Sequence, residues 1–150
     1  MLEVNLHLVI MKKILINLFA LLIGLFSGAI VNGAIINISN DIIPPPPGTN
    51  LKTMEGLIHA MTLMEPKHFI IPFLAHALGT FTGAISCCFV AKSHQLILSL
   101  SIGLSSFIGG FIMVLQLPTP LWFDLVDLTF AYFPMAYLGY WIVLKLYFNR

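Results

Sequence analysis

The sequence predicts an all-α integral membrane protein: a four-helix bundle with an additional short interfacial helix in the first external loop, forming one membrane domain over residues 1–150. The composition is the first reason. The chain is 59% hydrophobic and only 9% charged, whereas roughly a quarter of the residues in an average soluble domain are charged. Four apolar stretches are also long enough to cross about 30 Å of hydrocarbon, and the basic residues collect on one side of them.

The four predicted crossings cover about residues 14–36, 69–90, 95–117 and 125–148. The first begins like a signal peptide, because Lys12 and Lys13 precede an apolar run. This run is longer than the apolar region of a signal peptide, which usually has about 7–15 residues, so we expect an uncleaved crossing. The same pattern favours Met11 over Met1 as the start of translation.

The charges predict the orientation of the bundle. Five of the seven basic residues lie on one side of the crossings, and five of the six acidic residues lie on the other. The basic set is Lys12, Lys13, Lys92, Lys145 and Arg150, and the acidic set is Asp41, Glu55, Glu65, Asp124 and Asp127. Because short loops rich in Lys and Arg stay in the cytoplasm, both termini are expected to be cytoplasmic.

The first external loop, residues 37–68, is too long for a simple connection. Its proline-rich segment, residues 44–48, has no helix potential. After this segment, apolar residues recur at helical spacing and predict an amphipathic helix over about residues 50–64, capped by Thr49 or Asn50. Such a helix would lie in the membrane interface or cover the end of the bundle.

Small residues predict close packing between the crossings. Gly24 and Gly28 are four residues apart in the first crossing, and Gly79 and Gly83 are four apart in the second. Helices in lipid associate through such close backbone approach. Pro134 is expected to kink the fourth crossing.

Each crossing places one polar side chain in the outer half of the membrane. These are Asn32, His76, Gln116 and Asp127. An aspartate at the centre of a crossing costs about 2.5–3.5 kcal/mol, and less toward the interface. Asp127 should therefore have a partner, for which His76 and Asn32 are the natural choices, and Tyr132 or Tyr137 could add a hydroxyl.

The candidate ligand-binding residues are Asn32, Glu55, His59, His76, Thr80, Gln116 and Asp127. Glu55 and His59 lie on the face of the amphipathic helix opposite its apolar residues. They join the set because this helix could lean over the mouth of the bundle. Two interpretations of this cluster stay open: the contacts only stabilise the association of the helices, or they form a binding site for a ligand or a proton.

The sequence gives little indication of catalysis, metal binding, cysteine chemistry or nucleic-acid binding. No catalytic motif is present, and the histidines and glutamates have no recognised metal-ligand spacing, so neither a catalytic residue, a metal nor a cofactor is predicted. The adjacent Cys87 and Cys88 lie in an apolar run and are interpreted as small apolar residues of the core or of the lipid-facing surface. A net charge of +1 and the absence of a basic run argue against nucleic-acid binding.

Three segments carry a resemblance to known proteins: FLAHALGT at residues 73–80, LPTPLWFD at residues 117–124, and Asp127 to Ala136, which contains AYFPMA. Together they resemble a group of small, uncharacterised bacterial four-span inner-membrane proteins. The resemblance implies a location in the inner membrane of a bacterium, and it implies no activity.

The leading functional hypothesis is a non-enzymatic bundle that binds a small ligand or partner through the polar cluster on its external half. One alternative is a proton-coupled small transporter that uses His76 and Asp127. Another is a membrane-embedded enzyme that acts on a lipid or quinone, with His76 as general base. The expected partners are the lipid bilayer and either further copies of the chain or a larger membrane complex.

Overall fold

The computed structural model describes the backbone of residues 2–148 and the side chains of residues 7–147. Over this range the protein is helical and contains no strand, which confirms the all-α class. The elements are α1 (Leu2–Ile42), α2 (Met54–Met61), a short 3-10 helix (Pro66–Phe69), α3 (Ile70–Val90), α4 (Gln95–Gln116), α5 (Leu121–Phe130) and α6 (Phe133–Phe148). Three helical segments are long and apolar enough to cross a membrane, namely His7–Ile42, Pro66–Val90 and Gln95–Gln116.

The first helix is longer than the sequence predicts. The expected crossing, residues 14–36, is the middle of a helix of 41 residues that is about 60 Å long. Several residues after Ile36 are polar, which is why the sequence predicts that the crossing ends there, but polarity alone does not end a helix. The helix ends at Ile42 because the proline segment that follows lacks backbone N–H donors and restricts the residue before it.

The amphipathic helix of the loop is shorter than predicted, and its expected caps are wrong. It begins at Met54 rather than near residue 50, because the Thr53 hydroxyl accepts the Gly56 N–H at 3.1 Å and caps the helix. Asn50 instead accepts the Lys52 N–H at 2.9 Å and closes a turn. The helix ends at Met61, short of the predicted residue 64.

The fourth predicted crossing, residues 125–148, is not one continuous helix. It is divided into α5 and α6 by a turn at Ala131 and Tyr132. Pro134 explains the division, because it has no N–H to donate to the Phe130 carbonyl and its ring would clash with that group. The expected kink is therefore a complete break.

Helix α6 runs parallel to α3. Near its start Tyr132 reaches His76, in its middle Gly139 packs on Ala84, and near its end the Tyr147 hydroxyl donates to a carbonyl of α3 at 3.4 Å. Helices α5 and α6 together thus follow the full length of α3.

Helices α1 and α3 are in close backbone contact, as the glycine spacing predicts. A Cβ at Gly24 would lie 2.7 Å from the Gly83 carbonyl oxygen, and one at Gly28 would lie 2.8 Å from the Gly79 carbonyl oxygen. Either distance is too short for a real Cβ, so this pair of helices requires glycine at these positions.

Candidate ligand-binding site

Three polar side chains meet where α3 approaches the break between α5 and α6. His76 Nδ1 lies 2.9 Å from Asp127 Oδ1 and 3.0 Å from Oδ2, and the Tyr132 hydroxyl donates to Asp127 Oδ2 at 2.6 Å. Asp127 and Tyr132 are each only 2% exposed. A buried carboxylate is costly unless it is paired and hydrogen-bonded, and both oxygens of Asp127 have donors. We call these three residues the polar cluster.

The chemistry of the groups fixes where the hydrogens lie. An ionised carboxylate can only accept, so the His76 hydrogen that faces Asp127 is on Nδ1. Within the described residues Nε2 has no hydrogen-bond partner, although no buried side-chain nitrogen or oxygen there lacks one. Nε2 is therefore not buried, consistent with a side chain that is 24% exposed. A carboxylate that holds Nδ1 and leaves Nε2 free orients a histidine as a hydrogen-bond acceptor or a base.

The break between α5 and α6 builds this cluster. Asp127 lies in the last turn of α5, and the turn that follows brings Tyr132 back over it. The Tyr132 ring stacks on the His76 ring with the centroids 5.9 Å apart. Gly110 of α4 leaves room for the Tyr132 hydroxyl, because a Cβ at this position would collide with the phenol oxygen.

A cavity of about 490 Å³ separates the polar cluster from the segment that joins α1 to α3; we call it the loop chamber. Its lining is mainly apolar and includes Leu57 and Met61 of α2. His76 and Asp127 line the chamber, as do the charged side chains of Lys52 and Asp124. Apolar pockets with a few placed polar groups are typical of small-molecule sites.

The wall of the loop chamber is tied together by His68. Its Nδ1 accepts the Glu65 N–H at 2.9 Å, so Nε2 carries the ring hydrogen and donates to the Pro44 carbonyl at 3.1 Å. The proline segment is thereby attached to the start of the 3-10 helix.

A second cavity, of about 520 Å³, lies between α1 and α4 with α3 as its floor; we call it the α1–α4 cleft. His76, Gly110 and Met113 line both cavities. His76 thus belongs to a wall that the loop chamber and the α1–α4 cleft share.

The structure brings together some of the predicted site residues. His76 and Asp127 are in direct contact, and Tyr132 rather than Tyr137 supplies the hydroxyl. Asn32 and Thr80 lie beside His76 in the lining of the α1–α4 cleft. Asn32 packs against Gly79 and does not reach Asp127.

Three predicted site residues lie elsewhere. Glu55 and His59 are exposed on α2 and line neither cavity, because this helix turns its apolar side, with Leu57 and Met61, to the loop chamber. The amphipathic pattern already placed Glu55 and His59 on the opposite side. Gln116 is also exposed and lines neither cavity.

Sequence reasoning missed the charged residues of the loop chamber. Asp124 lines it and accepts a hydrogen bond from the Thr119 hydroxyl at 2.5 Å, and Lys52 lines it across from α5. The charge pattern places Asp124 on the acidic side of the crossings without indicating a cavity there, and no pattern in the sequence signals that the exposed Lys52 lines one.

No family model, curated protein or solved structure matches the chain. Across the described residues, no three histidine, cysteine, aspartate or glutamate side chains lie close enough together to hold a metal ion.

Proposed function

We propose that this chain is a multi-pass protein of a bacterial inner membrane that crosses the bilayer four times, with both termini in the cytoplasm. Helix α6 alone, with 16 residues, is about 24 Å long and falls short of about 30 Å of hydrocarbon. The last turns of α5 would complete the fourth crossing. The charge distribution supports the orientation, since the ends of α3 and α6 and the start of α4 lie beside Lys92 and Lys145.

In this orientation the polar cluster lies in the outer half of the membrane, and its function is to bind a small molecule. The observation that carries this proposal is the unpaired Nε2 of His76 at the wall shared by two cavities. A contact that only glued helices together would not need an open cavity on the far side of the imidazole. Each cavity is within the range of about 300–1,000 Å³ typical of ligand pockets.

Binding without chemistry remains the leading proposal, and one observation favours general-base catalysis as a second candidate. A carboxylate on Nδ1 and a free Nε2 are also what a catalytic histidine requires. The enzyme would then act on a lipid or quinone that enters one of the cavities.

Proton-coupled transport gains no comparable support. A relay would need polar groups that continue from His76 toward the cytoplasmic ends of the helices. At that end the described lining of the α1–α4 cleft consists of Gly24, Leu25 and Ile102. Association with further copies of the chain or with a larger membrane complex stays a prediction.

Native mass spectrometry of the protein released from bacterial membranes in mild detergent tests the binding proposal. We expect a small-molecule adduct that wild type retains, that His76→Ala loses, and that the exposed control His59→Ala keeps. An adduct of equal occupancy in wild type and His76→Ala, or no adduct in wild type, would contradict the proposal. A bound molecule that wild type converts to a product of different mass, while His76→Ala does not, would favour the enzyme.

A further inference from the structure

We infer that the α1–α4 cleft is a lateral entrance through which an uncharged amphiphile with a hydroxyl on its head group reaches His76 from the bilayer. This inference rests on the proposed binding role of His76, and it adds the chemical class of the ligand and its route. Four features of the α1–α4 cleft carry it: its shape, its mouth, its polar end and its lack of charge.

The shape of the cleft follows from where α1 and α4 touch. At one end the helices are in contact, because a Cβ at Gly24 would lie 2.9 Å from Ile102 Cδ1. Toward the polar cluster they diverge. No heavy atom lies within 4 Å of a Cβ built at Gly33 on α1 or at Gly109 on α4. The cleft is therefore closed at the Gly24 end and open along the rest of its length.

The mouth of the cleft lies on the side of the bundle. Ala29 of α1 and Ser105 and Gly109 of α4 line the cleft and are exposed. Their neighbours Ile30 and Ile108 are 54% and 50% exposed, as expected of residues that face lipid. From Gly24 to Gly33 the wall extends about 13 Å along the helix axis, which gives a hydrocarbon chain a path beside the glycines.

The polar end of the cleft offers two groups that have no partner within the described residues. Thr80 is 3% exposed and lines the cleft. Its hydroxyl makes no hydrogen bond to the described residues, and since no buried side-chain oxygen there is unsatisfied, part of the small exposed area belongs to the hydroxyl. His76 is one helical turn away and lines the same cleft, and its unpaired Nε2 is not buried. The half-buried amide of Asn32 lies opposite on α1.

The chemistry of this end selects an uncharged head group. Neither Lys, Arg, Asp nor Glu is among the described residues that line the cleft, so a phosphate or an ammonium would lie unpaired in a water-poor site, at high cost. In a neutral imidazole with its hydrogen on Nδ1, Nε2 accepts a hydrogen bond. A ligand hydroxyl can donate to Nε2 and accept from Thr80 at once, and an ether cannot do both.

Photolabelling in lipid nanodiscs tests this inference with a matched pair of probes: a long-chain alcohol that carries a diazirine in its chain, and the methyl ether of the same molecule. Peptide mass spectrometry locates the label. We expect the alcohol to label residues 24–33 and 105–113 in preference to the rest of the lipid-facing surface, and the ether to label them about 3–10-fold less, which corresponds to one lost hydrogen bond.

Two pairs of variants refine the test. Thr80→Val removes the hydroxyl at constant shape and should reduce labelling by the alcohol about 3–10-fold, whereas Thr82→Val, outside the cleft, should not. Gly109→Leu places a side chain in open space and should block labelling, whereas the lipid-facing Ile108→Phe should leave it unchanged. Equal labelling by alcohol and ether, or full labelling of Gly109→Leu, would overturn the inference. If the His76-dependent adduct persists in that case, the proposed function stands and only the route and ligand class fail.

Discussion

Asp127 is the residue on which the polar cluster depends, because its buried carboxylate accepts from groups on two other elements. The Tyr132 hydroxyl donates to Oδ2, and His76 donates to Oδ1. A donor to a buried charged group contributes more than a neutral hydrogen bond does, since the acceptor would otherwise remain unsatisfied.

Tyr132→Phe tests this at the level of one hydrogen bond. Removing the hydroxyl leaves Oδ2 with only the longer contact to His76 and should lower the free energy of unfolding by about 1–3 kcal/mol. Thermal melts in the same detergent measure the effect. Tyr137→Phe is the matched control, because Tyr137 is 53% exposed, and it should melt like wild type. Equal melting temperatures for the two variants would contradict the geometry of the cluster.

At the level of single residues, the sequence correctly predicted the contact between His76 and Asp127. It did not predict that this contact leaves Nε2 of His76 unpaired. The cost of an unpaired carboxylate pointed to His76 as the partner of Asp127, and the structure has that pair. Which side of the imidazole stays free depends on where Asp127 meets the ring, and Tyr132 reaches Asp127 only because of the break between α5 and α6. Spacing along the chain cannot specify either.

Among the elements, α1 packs tightly on α3 at some of its glycines and not at others. Substitutions along α1 should therefore differ in their cost. Gly28 faces the Gly79 carbonyl, whereas Gly33, five residues further along the same helix, faces open space. Alanine at either position should gain about 0.5–1 kcal/mol from helix propensity. At Gly28 the new Cβ must push a backbone oxygen away, and the helices must separate.

We therefore expect Gly28→Ala to lower the melting temperature and Gly33→Ala to leave it unchanged or raise it. Both substitutions add the same methyl group to the same helix, so they control for each other. Thermal melts by circular dichroism in one detergent would show the difference. Two variants that shift in the same direction by the same amount would mean that α1 does not pack on α3 as described.

The elements also show which features a local sequence pattern can predict and which it cannot. The glycine spacing predicted close packing of these crossings, because the repeat is a property of one helix face, but it did not specify that α1 pairs with α3. The length of α1 and the start of α2 were predicted less well, since a proline segment and a threonine cap decide them. The pattern of α2 placed Glu55 and His59 opposite its apolar face, and the structure keeps that arrangement, which is why neither reaches the polar cluster.

For the whole molecule, the sequence predicts orientation through charge, and the proposed function requires that orientation. Fusions to alkaline phosphatase and to green fluorescent protein, made after residue 50 and at the C-terminus, measure it. The phosphatase should be active only after residue 50, and the fluorescent protein should fold only at the C-terminus, because the basic loops stay in the cytoplasm. A periplasmic C-terminus would contradict both the four crossings and the sidedness of the cluster.

The cavities are properties of the whole molecule that the sequence did not reveal. The loop chamber combines parts of α1, α2, α3, α4 and α5, and the α1–α4 cleft depends on the angle at which two helices diverge. Composition and periodicity describe one element at a time. They therefore predicted polar residues at one end of the bundle, but they did not predict the cavities between the elements.

The most direct test of the account is the reaction of the folded protein in nanodiscs with diethyl pyrocarbonate, which acylates an accessible, unprotonated imidazole nitrogen. Peptide mass spectrometry would follow His76, with the exposed His59 as internal reference. Because Asp127 occupies Nδ1, and His76 lines both cavities with its Nε2 unpaired, we predict that His76 is acylated in the native protein, and more slowly in Gly109→Leu. A His76 that stays unmodified until the protein is denatured, while His59 reacts fully, would contradict the claim that this histidine is held open for a ligand.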